Sequence, residues 1–534
     1  MFTEYLDYHD TGYFSQTVLD YLEGATALDE FYGKPPVLNS LESVLAQQKT
    51  KSTNRSVLVN VLTEQYQRIE NSGGKVNDLV KENIRSLNSA NSYTVTTGHQ
   101  LNIFTGPLYT IYKILGTIAL AKKLSISHPD IRVIPVFWMA TEDHDFAEIN
   151  HLNVGDKQIT WNQDQGGAVG RLDIKSIQPA LGHVLSSLGL NPYLHDLEQM
   201  CRDAYLKNTN LADATRYLYN ELFGSYGLII LDADNASLKN EFASIIEQDI
   251  FQQHSNILVN ASNKKLESLG YHVQVNPREI NFFYLQKNSR ERIIREGEGF
   301  KVLNTTLRYS SDELRTEIRQ FPERFSPNVI MRPIYQEVIL PNLAYIGGGA
   351  EVSYWLSLKT TFLKYQISFP ILLLRNSALL VDEISRKRTD QLGFQTIDLF
   401  KDPRELVNLY VLRSSTKDLD LNKELKALKE ILGAIETKAT AVDSTLGEST
   451  RAIYARTRNV IEALEGKMLK AEKDKFDTEM SQIFKINQKL FPNHTLQERV
   501  ENFLPYYARY GHTLFETLLE SFDPFGKQMT VINL

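Results

Sequence analysis

The fold is decided by two stretches read together: Tyr93-Thr94-Val95-Thr96-Thr97-Gly98-His99-Gln100, and Val133-Ile134-Pro135-Val136-Phe137-Trp138-Met139, which stops at Thr141-Glu142-Asp143-His144-Asp145. The first is β-branched and aromatic up to Gly98 and reads as a strand. The second is a continuous apolar run of strand length, although Pro135 has no N–H to give a central ladder. Between them, Leu108, Ile111, Tyr112, Leu115 and Ala119 recur at helical spacing. Thr105 or Gly106 is the expected cap of that helix, with Pro107 in its first turn. Strand, helix and strand within about fifty residues form a βαβ unit, which implies a parallel sheet. Gly98-His99-Gln100 and Glu142-Asp143-His144-Asp145 then fall at the carboxyl ends of neighbouring strands, where open α/β sheets bind ligands.

Outward from this unit, residues 1–90 read as mostly helical, with a loop at Gly33-Lys34-Pro35-Pro36. Leu228-Ile229-Ile230-Leu231, ended by Asp232, is a further strand. It lies within a region of about 156–330 that reads as inserted subdomains around a continuing sheet. Leu343-Ala344-Tyr345-Ile346 leads into Gly347-Gly348-Gly349 and a helix, and Phe369 to Leu374 is another buried run ended by Arg375-Asn376. The core domain is therefore expected over 1–382. From 383 to 494 the pattern is helical. Leu421, Leu425, Leu428, Leu432, Ile435, Ala439, Val442 and Leu446 alternate by four and three, a heptad seam. Gly447-Glu448-Ser449 is the expected break, and a second helix runs to about Leu490. This predicts an antiparallel coiled-coil hairpin whose seam closes on itself or on a second copy. The tail, 495–534, carries Phe503, Tyr506, Tyr507, Tyr510 and Phe515 and should pack back on the core. The fold class is α/β: a Rossmann-like parallel-sheet core with inserted segments and a C-terminal helical coiled coil.

Composition narrows the function classes. The formal charge is −7, whereas a nucleic-acid binder usually shows a basic surface, because phosphate contacts dominate that affinity. No nucleic-acid partner is expected. A single cysteine, Cys201, rules out an intrachain disulfide and fits a reducing compartment, and it reads as a packing thiol. The acidic, polar start Met1-Phe2-Thr3-Glu4 has no signal-peptide character, and no apolar run has the length of a membrane span. A cytoplasmic protein without membrane attachment is expected.

Three carboxylates and an imidazole in four residues, Glu142 to Asp145, shift one another's proton affinities. They are the expected catalytic groups, suited to acid and base roles; a solvated helix start is the plainer alternative. Adjacent residues do not readily converge on one ion, so no metal is predicted. Gly98 lets a ligand approach the backbone. Gly347, Gly348 and Gly349 precede a helix and can cradle a nucleotide or other anion, though they lack the Lys and Ser/Thr of a P-loop. Arg332, with Gln336 and Glu337 after it, offers a planar fork for a substrate carboxylate.

Several strings together resemble one family. Thr97-Gly98-His99-Gln100, Thr105-Gly106-Pro107-Leu108-Tyr109-Thr110, Pro135-Val136-Phe137-Trp138 and Glu142-Asp143-His144-Asp145 are similar to the bacillithiol-biosynthesis cysteine-adding enzymes, the BshC family. Arg332-Pro333, Gln336-Glu337, Glu351, Tyr354-Trp355 and Arg509-Tyr510-Gly511 extend the resemblance over nearly the whole chain. It implies a Rossmann-like core with connecting-peptide insertions, a coiled coil that dimerises the protein, and ligation of cysteine to glucosaminyl-malate. Forming that amide from a free carboxylate needs activation, for which ATP is the expected source although no standard ATP motif is present; another activated donor or a partner protein stands beside it. It also implies substrate contacts from Gly98, His99, Gln100, Thr105, Tyr109, Arg332, Gln336, Glu337, Glu351, Tyr354 and Trp355. The family accepts glutamine at the position of His99, which moves weight to Gly98, Gln100 and the acidic quartet. Two other readings stand beside this one: an adenylate-forming or aminoacyl-transfer enzyme acting on another small amine, and a coiled-coil scaffold without catalysis.

Overall fold

The computed structural model describes residues 1–51, 53–417 and 419–534. Its centre is a five-stranded parallel sheet. In chain order the strands are β1 (Ser92–His99), β2 (Arg132–Met139), β3 (Ile229–Asp232), β4 (Asn342–Gly347) and β5 (Ile371–Leu374). In space they run β5-β4-β1-β2-β3, every neighbouring pair parallel. The chain therefore steps outward from β1 to β3 and returns on the other side of β1. The crevice between β1 and β4 is the topological switch point, where such sheets bind ligands. Residues 92–98 of β1 are all buried, as both-face coverage of a parallel strand requires.

Pro135 sits in β2, an interior strand. It pairs with Val95 on one side, but the ladder to β3 begins only at Val136. The proline thus lies just before the stretch that pairs on both sides, which removes the objection read from the sequence. The helix α1 (Leu108–Ser127) follows β1 and packs on β1 and β2. Its cap differs from expectation. Neither Thr105 nor Gly106 caps it; Pro107 stands at the N-cap and the Leu108 amide donates to the Glu501 carbonyl at 2.8 Å. Phe104, Thr105 and Gly106 instead form a left-handed turn (φ 49°, 72° and 68°). A Cβ on Gly106 would lie 2.5 Å from Cβ of Asn102, so only glycine fits there.

Between β3 and β4 the chain builds a separate antiparallel sheet from strands within 282–327, including Phe282–Gln286, Ser289–Glu296 and Phe325–Pro327. The first 90 residues are mixed and mostly helical, as expected, and Phe2–Asp7 is a strand, antiparallel to Gln528–Asn533, which in turn runs parallel to Ala378–Val381. The partner of Phe2–Asp7 lies more than 500 residues away, so no local periodicity announced the strand.

Two further helices carry the functional loops, α2 (Met331–Ile339) and α3 (Gly349–Trp355). The C-terminal hairpin is α4 (Asn422–Val442) and α5 (Ser444–Lys473), packed on each other. The break falls at Asp443 rather than at Gly447-Glu448-Ser449. Asp443 accepts from the Thr445 amide at 2.7 Å and starts α5. Gly447 lies inside α5, where a Cβ would meet Thr440 Oγ1 at 2.4 Å; it is a close-approach glycine and not a helix breaker. The second helix also ends early, at Lys473, and a separate helix spans Asp477–Leu490. The tail adds Leu504–Tyr510 and His512–Ser521, with Phe515 stacked on Phe223 and Phe503. No helix among the described residues is long and apolar enough to cross a membrane.

Candidate active site

The aligned register, with Gly98 opposite Trp138 and Trp138 opposite Leu231, brings the strand ends to one level. A cavity of about 610 Å³ opens above them. Its floor is Gly98 and His99 from β1, Met139 from β2 and Tyr345 from β4; the loop after β2 gives Glu142 and Asp143, the loop after β5 gives Arg375.

Asp143 is held on both carboxylate oxygens. Its Oδ2 accepts from Gln100 Nε2 at 2.8 Å, and its Oδ1 accepts from the His144 amide at 2.7 Å and lies 3.4 Å from Arg290 Nη1. Burial alone would raise its pKa, but the hydrogen bonds from His144 and the Arg290 charge outweigh it and hold the carboxyl below the usual range. The same Gln100 amide donates its second proton to Glu148 Oε2 at 2.8 Å. Glu148 also faces the cavity, and there burial and the charges of Asp143 and Asp145 raise the carboxyl. One amide thus binds two carboxylates of opposite proton affinity. Glu142 is ion-paired with Lys239, whose side chain is fully buried; burial still pushes the Glu142 carboxyl upward.

The rest of the quartet stands aside. His144 and Asp145 do not line the cavity. Asp145 caps a four-residue helix by accepting from the Glu148 amide at 3.3 Å. His144 Nδ1 lies 2.9 Å from Arg290 Nη1 and 3.5 Å from Asp143 Oδ1. The same Arg290 donates to Ser326 Oγ and the Pro327 carbonyl and lies over the Phe283 ring. The inserted antiparallel sheet thereby grips the quartet.

Across the crevice, Lys113 of α1 donates to the Gly98 carbonyl at 2.9 Å and pairs with Glu351. Glu351 also accepts from Tyr345 Oη at 2.6 Å and the Gly348 amide at 2.8 Å. Burial opposes its charge, yet Lys113 and these donors bring its pKa to about 2. Of the three glycines expected to cradle an anion, Gly347 is buried at the end of β4, Gly348 gives its amide to Glu351, and Gly348 and Gly349 line the cavity. His99 is enclosed, T-stacked on Tyr109 at 5.1 Å, and burial with the Lys113 charge lowers its pKa to about 3. It is a neutral imidazole and not a base for neutral pH.

Arg332 lines the cavity between the Trp138 and Tyr345 rings, and Tyr354 lines it beside Glu351. Arg332 Nη1 donates to Gln336 Oε1 at 2.9 Å, while Arg332 Nη2 is buried with no hydrogen-bond partner among the described residues. Gln336, Glu337, Trp355 and Thr105, expected to touch substrate, are buried behind the wall. Gln336 steers Arg332. Glu337 accepts from Gln336 and Asn342, and burial, offset by Lys51, brings it to about 7. Trp355 stacks on Tyr345 at 4.7 Å, and Thr105 belongs to the left-handed turn.

Lys113, Lys239, Arg290, Glu148, Arg375 and Arg499 were not singled out as site residues from the sequence. Lys113 had a readable signal, being a lysine inside the apolar stripe of α1. Arg290 had none, since Ser289-Arg290-Glu291-Arg292 reads as an ordinary solvated strand.

Comparison with known proteins agrees with this architecture. Residues 1–376 match the family described as "Bacillithiol biosynthesis BshC, N-terminal Rossmann-like domain", and residues 378–534 match "Bacillithiol biosynthesis BshC, C-terminal coiled-coil domain". Proteins named "Putative cysteine ligase BshC" are similar over the full chain. The one from Flavobacterium johnsoniae is 41% identical and covers 100% of both chains; that from Cytophaga hutchinsonii is 36% identical over 98% of both; that from Salinibacter ruber is 32% identical over 95% of this chain and 94% of its own. With a Rossmann-ordered sheet, a cavity at its switch point and a helical hairpin beyond it, the chain belongs to the BshC family of bacillithiol biosynthesis.

Proposed function

We propose that this chain is a cytoplasmic cysteine ligase that joins L-cysteine to glucosaminyl-malate by an amide bond, in the last step of bacillithiol biosynthesis. The observation that carries this reading is the two-ended cavity. Asp143 and Glu148, bridged by Gln100, suit an amine, and Arg332, with one unpartnered buried donor, suits a carboxylate. Amide formation from a free carboxylate runs uphill in water, and ATP, when bound, supplies its activation. The open donor of Arg332 fits an anionic group, whereas the Gly348 amide of the triglycine turn is given to Glu351. Asp143, kept ionised, holds the incoming ammonium. Glu148, with its raised carboxyl, accepts the proton as the amine attacks, which moves that role outside the 142–145 quartet.

Mass spectrometry of purified protein with glucosaminyl-malate and cysteine, with and without ATP, tests the reading. Product only with ATP is the expected result. Full product without ATP would sink the ATP-dependent version, and no product in either tube from folded protein would sink the ligase reading.

The same reading includes a homodimer formed through the hairpin. None of the residues of α4 is buried, and Ile435, Ile453, Val460 and Leu464 are exposed along the two helices. An apolar seam of this length is ordinarily covered. Sedimentation velocity should find a dimer, and Ile453→Glu with Val460→Glu should convert it to monomer; a wild-type monomer would refute the assembly.

A further inference from the structure

The segment Gln497–Asn502 belongs to the region matched by the coiled-coil family, yet it is built into the rim of the Rossmann cavity. Three of its side chains are buried and bonded to the core. Gln497 donates to and accepts from Leu380. Glu498 accepts from Arg375 Nη2 at 2.5 Å, Ser377 Oγ at 3.1 Å and the Ala378 amide at 3.2 Å. Asn502 donates to the Phe104 and Gly106 carbonyls at 2.9 and 2.6 Å, clasping the left-handed turn that precedes α1. The segment is thus fixed to both sides of the switch point.

Arg499 is the exposed residue in the middle of this anchorage, and it lines the cavity. The charges there balance in an informative way. Lys113 is neutralised by Glu351, Arg375 by Glu498, Arg290 by Asp143, and Glu142 by Lys239. Among the described residues, Arg332 and Arg499 are the cavity guanidiniums that form no ion pair, against one unpaired carboxylate, Glu148. A solvated surface arginine needs no rigid mount. This one has a mount of three buried polar side chains.

We infer that Arg499 is a substrate-binding residue which the second domain supplies to the Rossmann site, and that with Arg332 it binds a doubly anionic ligand. Two guanidiniums without carboxylate partners match two carboxylates or a polyphosphate, since both present paired acceptor oxygens to the guanidinium fork. The assignment of the dicarboxylate arm to the amine substrate rests on the ligase reading; the anion site itself does not.

Titration calorimetry of the full-length protein with L-malate and, separately, with ATP tests it. Arg499→Gln is expected to weaken L-malate binding by about tenfold or more, Arg499→Lys by less, and ATP binding is expected to be unchanged in both. Weakening of ATP binding alone supports the anion site and reassigns its occupant to the nucleotide. Equal affinities of wild type and Arg499→Gln for both probes, or no binding of either by wild type, would overturn the proposal. A protein that binds L-malate through Arg499 but makes no ligation product would refute the ligase reading and leave the anion site standing.

Discussion

Asp143→Asn is expected to lower kcat by about 10²–10³-fold, the loss typical of removing one preorganised electrostatic group. Asparagine keeps the volume, so the cavity and its walls should survive. What is lost is the fixed negative charge that faces the cavity, together with acceptor capacity for Gln100, the His144 amide and Arg290. Steady-state kinetics on folded protein, checked by circular dichroism, gives the answer. A variant within about threefold of wild type would remove Asp143 from the chemistry. Glu148→Gln separates the two carboxylates. As the proposed proton acceptor, Glu148 must be ionised to work, and its carboxyl is raised by burial and by its acidic neighbours. Wild-type activity should therefore fall as pH drops through that raised value. Glu148→Gln should lose this acidic limb along with most of its rate, whereas Asp143→Asn should keep it.

Lys239→Met is expected to destabilise the protein by about 3–5 kcal/mol, the range for breaking a buried ion pair from one side. Lys239 is fully buried, and its ammonium bonds Glu142 and the Phe325 carbonyl (2.8 Å) over the Tyr335 ring. Methionine fills the space but leaves the Glu142 charge without a partner. The pH dependence follows from linkage. Without Lys239 the folded state holds the Glu142 proton more tightly than the unfolded chain, whose carboxyl titrates near about 4.3. Stability then falls as pH rises above that value. The deficit should be smallest at about pH 4 and grow as pH rises toward neutrality, as read by urea denaturation across pH. The double variant Lys239→Met with Glu142→Gln should recover much of the loss at neutral pH. A deficit equal at all pH values would mean that packing of the lysine stem, and not the ion pair, is what matters.

The sequence by itself determined the sheet and its functional edge. Parallel strands buried on both faces are written locally, as a β-branched and aromatic run in β1 and as continuous apolar runs in β2 and β3, and a polar residue such as Asp232 or Glu142 marks where the burial stops. The quartet, the Gly98 approach and Arg332 were legible for that reason. Which members of the quartet line the cavity was decided only by the tertiary structure. Glu142 and Asp143 point into the cavity because Lys239 and Gln100 hold them there, and His144 is turned toward a sheet that begins more than a hundred residues later. Likewise, the Gly348 amide of the triglycine turn is given to Glu351, and the first turn of α1 takes its cap from Glu501. Periodicity records which face of an element is buried. It carries no record of which distant charge or carbonyl meets it, because that is set by strand order and register, through contacts such as Arg290 with Asp143, 147 residues apart, and Arg375 with Glu498, 123 residues apart.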